Sequence, residues 1–574
     1  MLPRPLPLLA ASGGLHVIDY GVVLLYMAVI LYVGWRCSRT QETSDQFFVG
    51  DRNLPWWATG LSLIATMMST LSYLGVPGEI FGQGIAMLLQ FTSLPFAFLI
   101  IGWVWVPFYM KLRLTSAYEY LDLRFGTPTR LLAVGLFLYM RFIWLGLIIY
   151  SSGRAIAEMT NDTAPGALAW LTGGRIDWTA NRENWELTVL LATGLLATAY
   201  TTLGGIRAVI WTDVIQFVVL FLGAVFTLLV VFAKTGTGPI AWYQEAVSLP
   251  QKFPPLASWD LTTRNTFLVV FINGLLWHVC THACDQVALQ RYFCNDSAQA
   301  ARRTCAVNYV CDALMSVLLA LVGLGLLAYY QRNIPELTPE LSESMQQMLE
   351  NSENRTGSNL FADRVFPYFI AHGLPLGIAG LTLAGVFAVA QSSVDSGINS
   401  TSTVIMVDLV RRFRRQPLSS IAELRLTQLL TVVIGVLVTG IAVLATRFGR
   451  VSSIMELQLQ SFNAVLGPLG AVFMAGFLLR RVNQPAVLCG GLAGVLLGLC
   501  LGFWTVLDKR LSAWQGTEES LLGPAVSPFW IIPLSWLTTV VIALLVSLFT
   551  SRPRPSQIQG LTIWTAEAER LPVN

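Results

Sequence analysis

Uncharged apolar runs recur along the chain with only short polar gaps between them. Val22–Val33, Leu94–Phe108, Phe217–Phe232 and Val432–Ala445 contain no charged residue, the pattern expected of helices that cross a bilayer. A window of about twenty residues predicts thirteen helices, at 17–35, 56–78, 86–109, 130–153, 187–203, 207–233, 266–290, 305–329, 374–405, 424–447, 453–479, 484–505 and 528–549. The short alternating segments of an outer-membrane barrel are absent. The expected fold class is an all-α polytopic membrane protein of about 13 transmembrane helices.

Composition sharpens this. The chain is 54% hydrophobic and 12% charged, about half the charge of an ordinary soluble domain, which excludes a secreted domain. A net charge of +3 gives no reason to expect nucleic acid as a partner. All eight cysteines lie in or beside apolar segments, so no disulfide framework is expected. Met1–Gly14 is too short and proline-rich for a signal peptide and reads as a tail.

The interhelical loops sort into two alternating sets. One set holds 21 of the 36 Lys and Arg, including Arg411–Arg415, Arg480 and Arg481, and is cytoplasmic by the positive-inside rule. The N-terminus is then outside and the C-terminus inside, in a multi-pass cell-membrane protein. The outer loops at roughly 154–186, 234–265 and 330–366 are long, and the polar stretch Pro335–Ser358 in the third is expected to be flexible.

Several spans carry polar residues that a bilayer tolerates only for a purpose. In the second, Ser69, Thr70, Ser72, Gly75, Pro77 and Gly78 interrupt the apolar pattern, and Pro77 is expected to loosen the helix and free carbonyls near Ala65–Ser69. The alternative is close helix packing on small residues. In the ninth, Ser392, Asp395, Ser396 and Asn399 recur at spacings of three and four and share one helix face. Hard oxygen donors with a carboxylate, and no His or Cys, suit Na⁺. Asp213 either pairs with Arg207 near the inner face or reaches that hydroxyl face. His278 and His282 lie four apart on one face. They are half of a helical zinc motif without its glutamate or third ligand, so packing or solute hydrogen bonding is the favoured reading. Asp285, Gln290 and Arg291 read as the polar cytoplasmic end of that helix. Arg141 stands alone in the middle of its span and needs a counter-charge, either an internal carboxylate or an anionic solute.

The segments FFVGDRNLPWWATGLSLIA (47–65), GGIRAVIWTDVIQ (204–216), DQVALQR (285–291) and SSVDSGINSTSTVIMVDL (392–409) together resemble the sodium:solute symporter family. The resemblance runs in order from about residue 16 to 480. It implies a LeuT-type fold with two inverted five-helix repeats and alternating access. The first repeat would cover 56–233 and the second 266–479, with discontinuous helices at 56–78 and 266–290. Outside the repeats lie the outer tail 1–15, an extra helix at 16–36, two C-terminal helices within 484–550 and a cytoplasmic tail, 551–574.

The resemblance also implies site residues. One Na⁺ would sit among Ala65, Met68, Val389, Ser392 and Ser393. A second cation would use Asp213, Asp395 and Ser396, where Asp395 replaces the Ser or Thr of many members. Sugar carriers of the family have a glutamate where this chain has Phe91 next to Gln90, although Gln460 matches a sugar-site glutamine. Carriers of sialic acid and related anions use an arginine and hydroxyls that Arg141, Ser69 and Ser72 resemble. The expected function is Na⁺-coupled secondary active symport of a small organic solute, favouring an anionic one, with Na⁺/sugar cotransport as the alternative. The chain is not expected to be an enzyme. An intramembrane metal enzyme using His278 and His282 lacks a third ligand, and no signalling domain follows residue 550 to support a transporter-like sensor. Na⁺ is the coupling ion and no other cofactor is expected. The expected partners are the solute, Na⁺ and the bilayer, and the chain reads as a monomer.

Overall fold

The computed structural model describes residues 14–38, 44–83, 85–171, 182–248, 257–263, 266–350, 358–448, 460–517 and 519–565. Its long elements are helices: α1 (Val17–Ser38), α2 (Trp56–Met67), α3 (Thr70–Gln83), α4 (Leu88–Leu112), α5 (Thr127–Thr160), α6 (Arg182–Thr235), α7 (Phe267–Cys284), α8 (Gln286–Phe293), α9 (Ala298–Arg332), α10 (Ile378–Val404), α11 (Ser420–Phe448), α12 (Asn463–Leu478), α13 (Gln484–Gly502) and α14 (Ile531–Phe549). Among the described residues, ten helices are long and apolar enough to cross a membrane, or eleven with the bent pair α2–α3 counted as one span. The thirteen expected from the sequence exceed this for identifiable reasons. Part of 453–479 lies outside the described residues, leaving the shorter α12. The expected helices 187–203 and 207–233 are the two limbs of α6, joined at Gly205 with φ 53° and ψ −169°, a conformation glycine adopts without a Cβ penalty. Only the second limb, from Gly204, has the length and apolarity of a span.

Two spans are interrupted. α2 and α3 meet at a 60° bend, where Met68 is extended (ψ 106°) and its N–H closes the last turn on the Ile64 carbonyl. The break therefore lies nine residues before Pro77. That proline sits inside α3, so the loosening expected from it is not what frees the carbonyls. α7 and α8 are separated by Asp285, also extended (ψ 117°), whose carboxylate accepts from the Val287 N–H and caps α8.

α10 runs through the middle of the bundle. All of its residues except Ile378, Leu381 and Phe387 are buried. Asp19 of α1 caps its start, accepting from the Gly377 and Gly380 N–H groups at 2.8 Å each. On the arginine-rich side, Arg130 and Ser116 both bond Asp408, and Arg130 and Arg412 both reach Asp122. On the opposite side, the stretch expected to be flexible contains a helix at Pro339–Glu350, and another follows at Ser358–His372. Arg364 on the second of these pairs with Glu340 and Glu158, and such pairing gives a polar sequence a fixed place. Residues 351–357, and residues 1–13 of the N-terminal tail, lie outside the described residues.

Candidate functional site

The break between α2 and α3 leaves backbone carbonyls without helical partners. The hydroxyls of α10 meet them. Ser392 Oγ donates to the Ala65 carbonyl at 2.8 Å and to Val389 at 3.2 Å. Ser393 Oγ donates to the Thr66 carbonyl at 3.0 Å and to Met68 at 3.4 Å. The five residues assigned to the first ion from sequence thus gather in one place, with Thr66 as a sixth. All the donors are oxygen, the set that a hard monovalent cation takes. Hydroxyl protons now satisfy these carbonyls, and a cation would satisfy the same oxygens once the hydroxyls turned their lone pairs inward. Ser69 Oγ and Thr70 Oγ1, just past the break, are buried with no hydrogen-bond partner among the described residues.

One helix turn further along α10 lies a charged cluster. Asp213 is fully buried and accepts from Ser62 at 2.5 Å, Thr66 at 3.3 Å and Arg291 at 3.2 Å. The Thr66 hydroxyl also contacts Ser396 at 2.9 Å, and Asp395 accepts from the Ser396 N–H at 2.6 Å. Asp213 and Ser396 thus meet through the Thr66 hydroxyl, and Asp395 is bonded to Ser396. Two readings need correction. The partner of Asp213 is Arg291, not Arg207. Asp285, Gln290 and Arg291 are all fully buried rather than at a cytoplasmic surface, because α8 turns back into the bundle beneath α2. Gln290 there bonds the Phe48 carbonyl at 2.7 Å and Asn399 at 3.0 Å, which explains why the polar face of α10 continues past its hydroxyls.

A cavity of about 130 Å³ opens beside the first cluster, many times the roughly 10–15 Å³ that one water needs. Met68, Ser72, Gln90, Phe91, Asn273, Trp277, His278, His282, Asn308, Asp312 and Ser316 are among its lining residues. Gly274 lets the 85–93 turn approach α7, since a Cβ there would stand 2.9 Å from Ser93 Oγ and 3.1 Å from the Gln90 carbonyl. His282 Nδ1 is 2.7 Å from the Tyr292 hydroxyl, and both imidazoles face the Tyr309 ring. Among the described residues no three His, Cys, Asp or Glu are grouped to hold a metal.

Five of the eight residues assigned to the solute line this cavity. Ser69, Arg141 and Gln460 do not. Arg141 is 4% exposed and forms an ion pair with Asp285 at the α7–α8 break, flanked by the Phe137 and Phe462 rings. Sequence reasoning missed Asp312. It is the one carboxylate within the mostly apolar stretch Ala306–Ala328 of α9, and in the structure it faces the cavity with Ser316 Oγ 3.3 Å away. Its isolation in that run was the available signal.

The chain is similar to known proteins over most of its length. A sequence model described as the sodium:solute symporter family matches residues 47–164 and 179–494. The sodium/sialic acid symporter SiaT of Proteus mirabilis (strain HI4320) is 28% identical over 86% of this chain and 90% of its own. The sodium-dependent multivitamin transporter of Oryctolagus cuniculus is 29% identical over 95% of this chain and 78% of its own. A solved Na⁺-coupled sialic acid symporter in a substrate-bound outward-open state superposes with a TM-score of 0.73 at 25% identity, covering 94% of this chain and 99% of that one.

Proposed function

The chain belongs to the sodium:solute symporter family, and from that premise we propose that it carries a small, carboxylate-bearing organic solute into the cell together with Na⁺. It is a membrane transporter and not an enzyme. The observation that carries the reading is the meeting of Ser392 and Ser393 with the carbonyls of Ala65, Thr66 and Met68. Na⁺ in that cluster ties the broken α2–α3 span to α10. Met68 belongs both to the cluster and to the cavity wall, so ion binding fixes one side of the solute site. Differential stability of that tie in two arrangements of the bundle is what couples ion to solute. The N-terminus lies outside and the C-terminus inside, as the arginine distribution supports.

Within the cavity the solute carboxylate is held by neutral donors, Gln90, Asn273, Asn308 and the imidazoles, because Arg141 is engaged by Asp285. Asp312 on the same wall selects solutes that also present a hydroxyl or ammonium group. SiaT, whose name gives sialic acid as its solute, is consistent with a hydroxylated acid. Proteoliposome uptake of a panel of carboxylates, hydroxy acids, amino acids and neutral sugars, with and without a Na⁺ gradient, tests this. Neutral sugars alone being carried would refute the carboxylate reading.

A further inference from the structure

The second oxygen cluster already contains a cation. Arg291 is completely buried and each of its three nitrogens is hydrogen-bonded, two of them inside the cluster. Nε bonds Ser62 Oγ at 3.0 Å, Nη1 bonds the Val287 carbonyl at 2.8 Å, and Nη2 reaches Thr66 Oγ1 at 2.7 Å, Asp213 at 3.2 Å and Ser396 Oγ. Of the expected second-cation set, Asp213 and Ser396 are bonded by Arg291 together with Ser62 and Thr66, and Asp395 is held by the Ser396 N–H.

We propose that Arg291 is a tethered cation that fills the second cation position, so that the protein binds and couples one Na⁺ rather than two. A guanidinium stays charged at any physiological pH. Its repulsion of a monovalent ion about 4 Å away, at an effective dielectric near 20, corresponds to a loss on the order of a thousandfold in affinity, and Asp213, already paired with Arg291, no longer offers that ion a free counter-charge. Thr66 connects the two clusters, its carbonyl accepting from Ser393 and its hydroxyl bonded to Arg291. Arg291 therefore also holds the edge of the first site in place. The proposal rests on the Na⁺ reading of that first site.

The test is equilibrium binding of ²²Na⁺ to the purified full chain, which needs no knowledge of the solute. The wild type is expected to bind one Na⁺ per chain, and Ser393→Ala to lower that affinity tenfold or more. Arg291→Gln, which exposes Asp213, is expected to bind two, and Arg291→Gln with Asp213→Asn to return to one. Should Arg291→Gln not fold, the wild-type count still decides. Two ions bound to the wild type overturn the tethered-cation proposal and leave the first site standing. No ion bound overturns both. A single ion in the wild type that Ser393→Ala leaves unchanged while Asp213→Asn abolishes it would put Na⁺ where the proposal puts Arg291, and refute it.

Discussion

Replacing Arg141 separates two roles for a guanidinium in the middle of the membrane. In the structure it is 4% exposed, pairs with Asp285, and sits between Phe137 and Phe462. Asp285 also caps α8 through the Val287 N–H at 3.0 Å, so the pair pins the break in the α7–α8 span. Removing one member of a buried pair strands the other charge, at a cost of roughly 3–5 kcal/mol. Arg141→Gln and Asp285→Asn should each lower the melting temperature of the solute-free protein by several degrees. The double variant strands no charge and should recover part of the loss, giving a coupling energy of about 1–3 kcal/mol in a double-mutant cycle. Arg141→Lys keeps the charge without the planar fork and should fall between. The assay is thermal unfolding in detergent of the four proteins, with solute binding measured on the same samples. A stable Arg141→Gln protein that has lost all solute binding would refute the structural role and make Arg141 the anion grip.

Three further outcomes follow from the site and its surroundings. Ser392→Ala and Ser393→Ala each remove one oxygen from the ion cluster and should raise the Na⁺ concentration for half-maximal uptake about tenfold or more, with surface expression unchanged. Asp312→Asn should weaken uptake of hydroxylated or amino-bearing acids more than that of simple carboxylates, read as the ratio of the two uptake rates. His372, at the end of the Ser358–His372 helix, is pushed down by burial, but its hydrogen bond to Asp162 at 3.2 Å and its contact with the Tyr368 carbonyl outweigh that and raise its pKa above the usual 6.5. A raised folded-state pKa adds stability that is fully present below about 6.5 and is lost as pH rises through the folded value. The melting-temperature gap between wild type and His372→Gln should therefore be largest near pH 5.5 and shrink toward pH 8.

The polar face of α10 was legible because Ser392, Asp395, Ser396 and Asn399 are costly residues at membrane depth and recur at spacings of three and four; Ser393, which also meets the broken span, lies outside that pattern. The carbonyls that Ser392 and Ser393 meet were read correctly in position but for the wrong cause. Proline is a visible helix breaker, yet the chain breaks at Met68–Ser69, where capture of the carbonyls by Ser392 and Ser393 from a distant helix makes an extended residue tolerable. No local signal marks such a break. Arg291 and Asp285 were misplaced for a related reason. Polar residues at the end of an apolar run look like a water-facing terminus, and only tertiary contact with Asp213 and Arg141 shows that the run turns back inside. Asp312 was overlooked although Asn308 and Ser316, four residues to either side, share its helix face and line the same cavity. Its meaning comes from Asn273, Gln90 and His278 on other helices.

The central claim is Na⁺-coupled symport, and the most direct test is accumulation of a radiolabelled solute from the panel in proteoliposomes under imposed gradients. One Na⁺ carried with a monoanion moves no net charge, so a 100 mV potential, worth roughly 2.3 kcal/mol per charge, should leave the final accumulation unchanged. A tenfold inward Na⁺ gradient supplies about 1.4 kcal/mol and should give close to tenfold accumulation. Equal uptake with Na⁺ replaced by K⁺ at fixed pH would contradict the account.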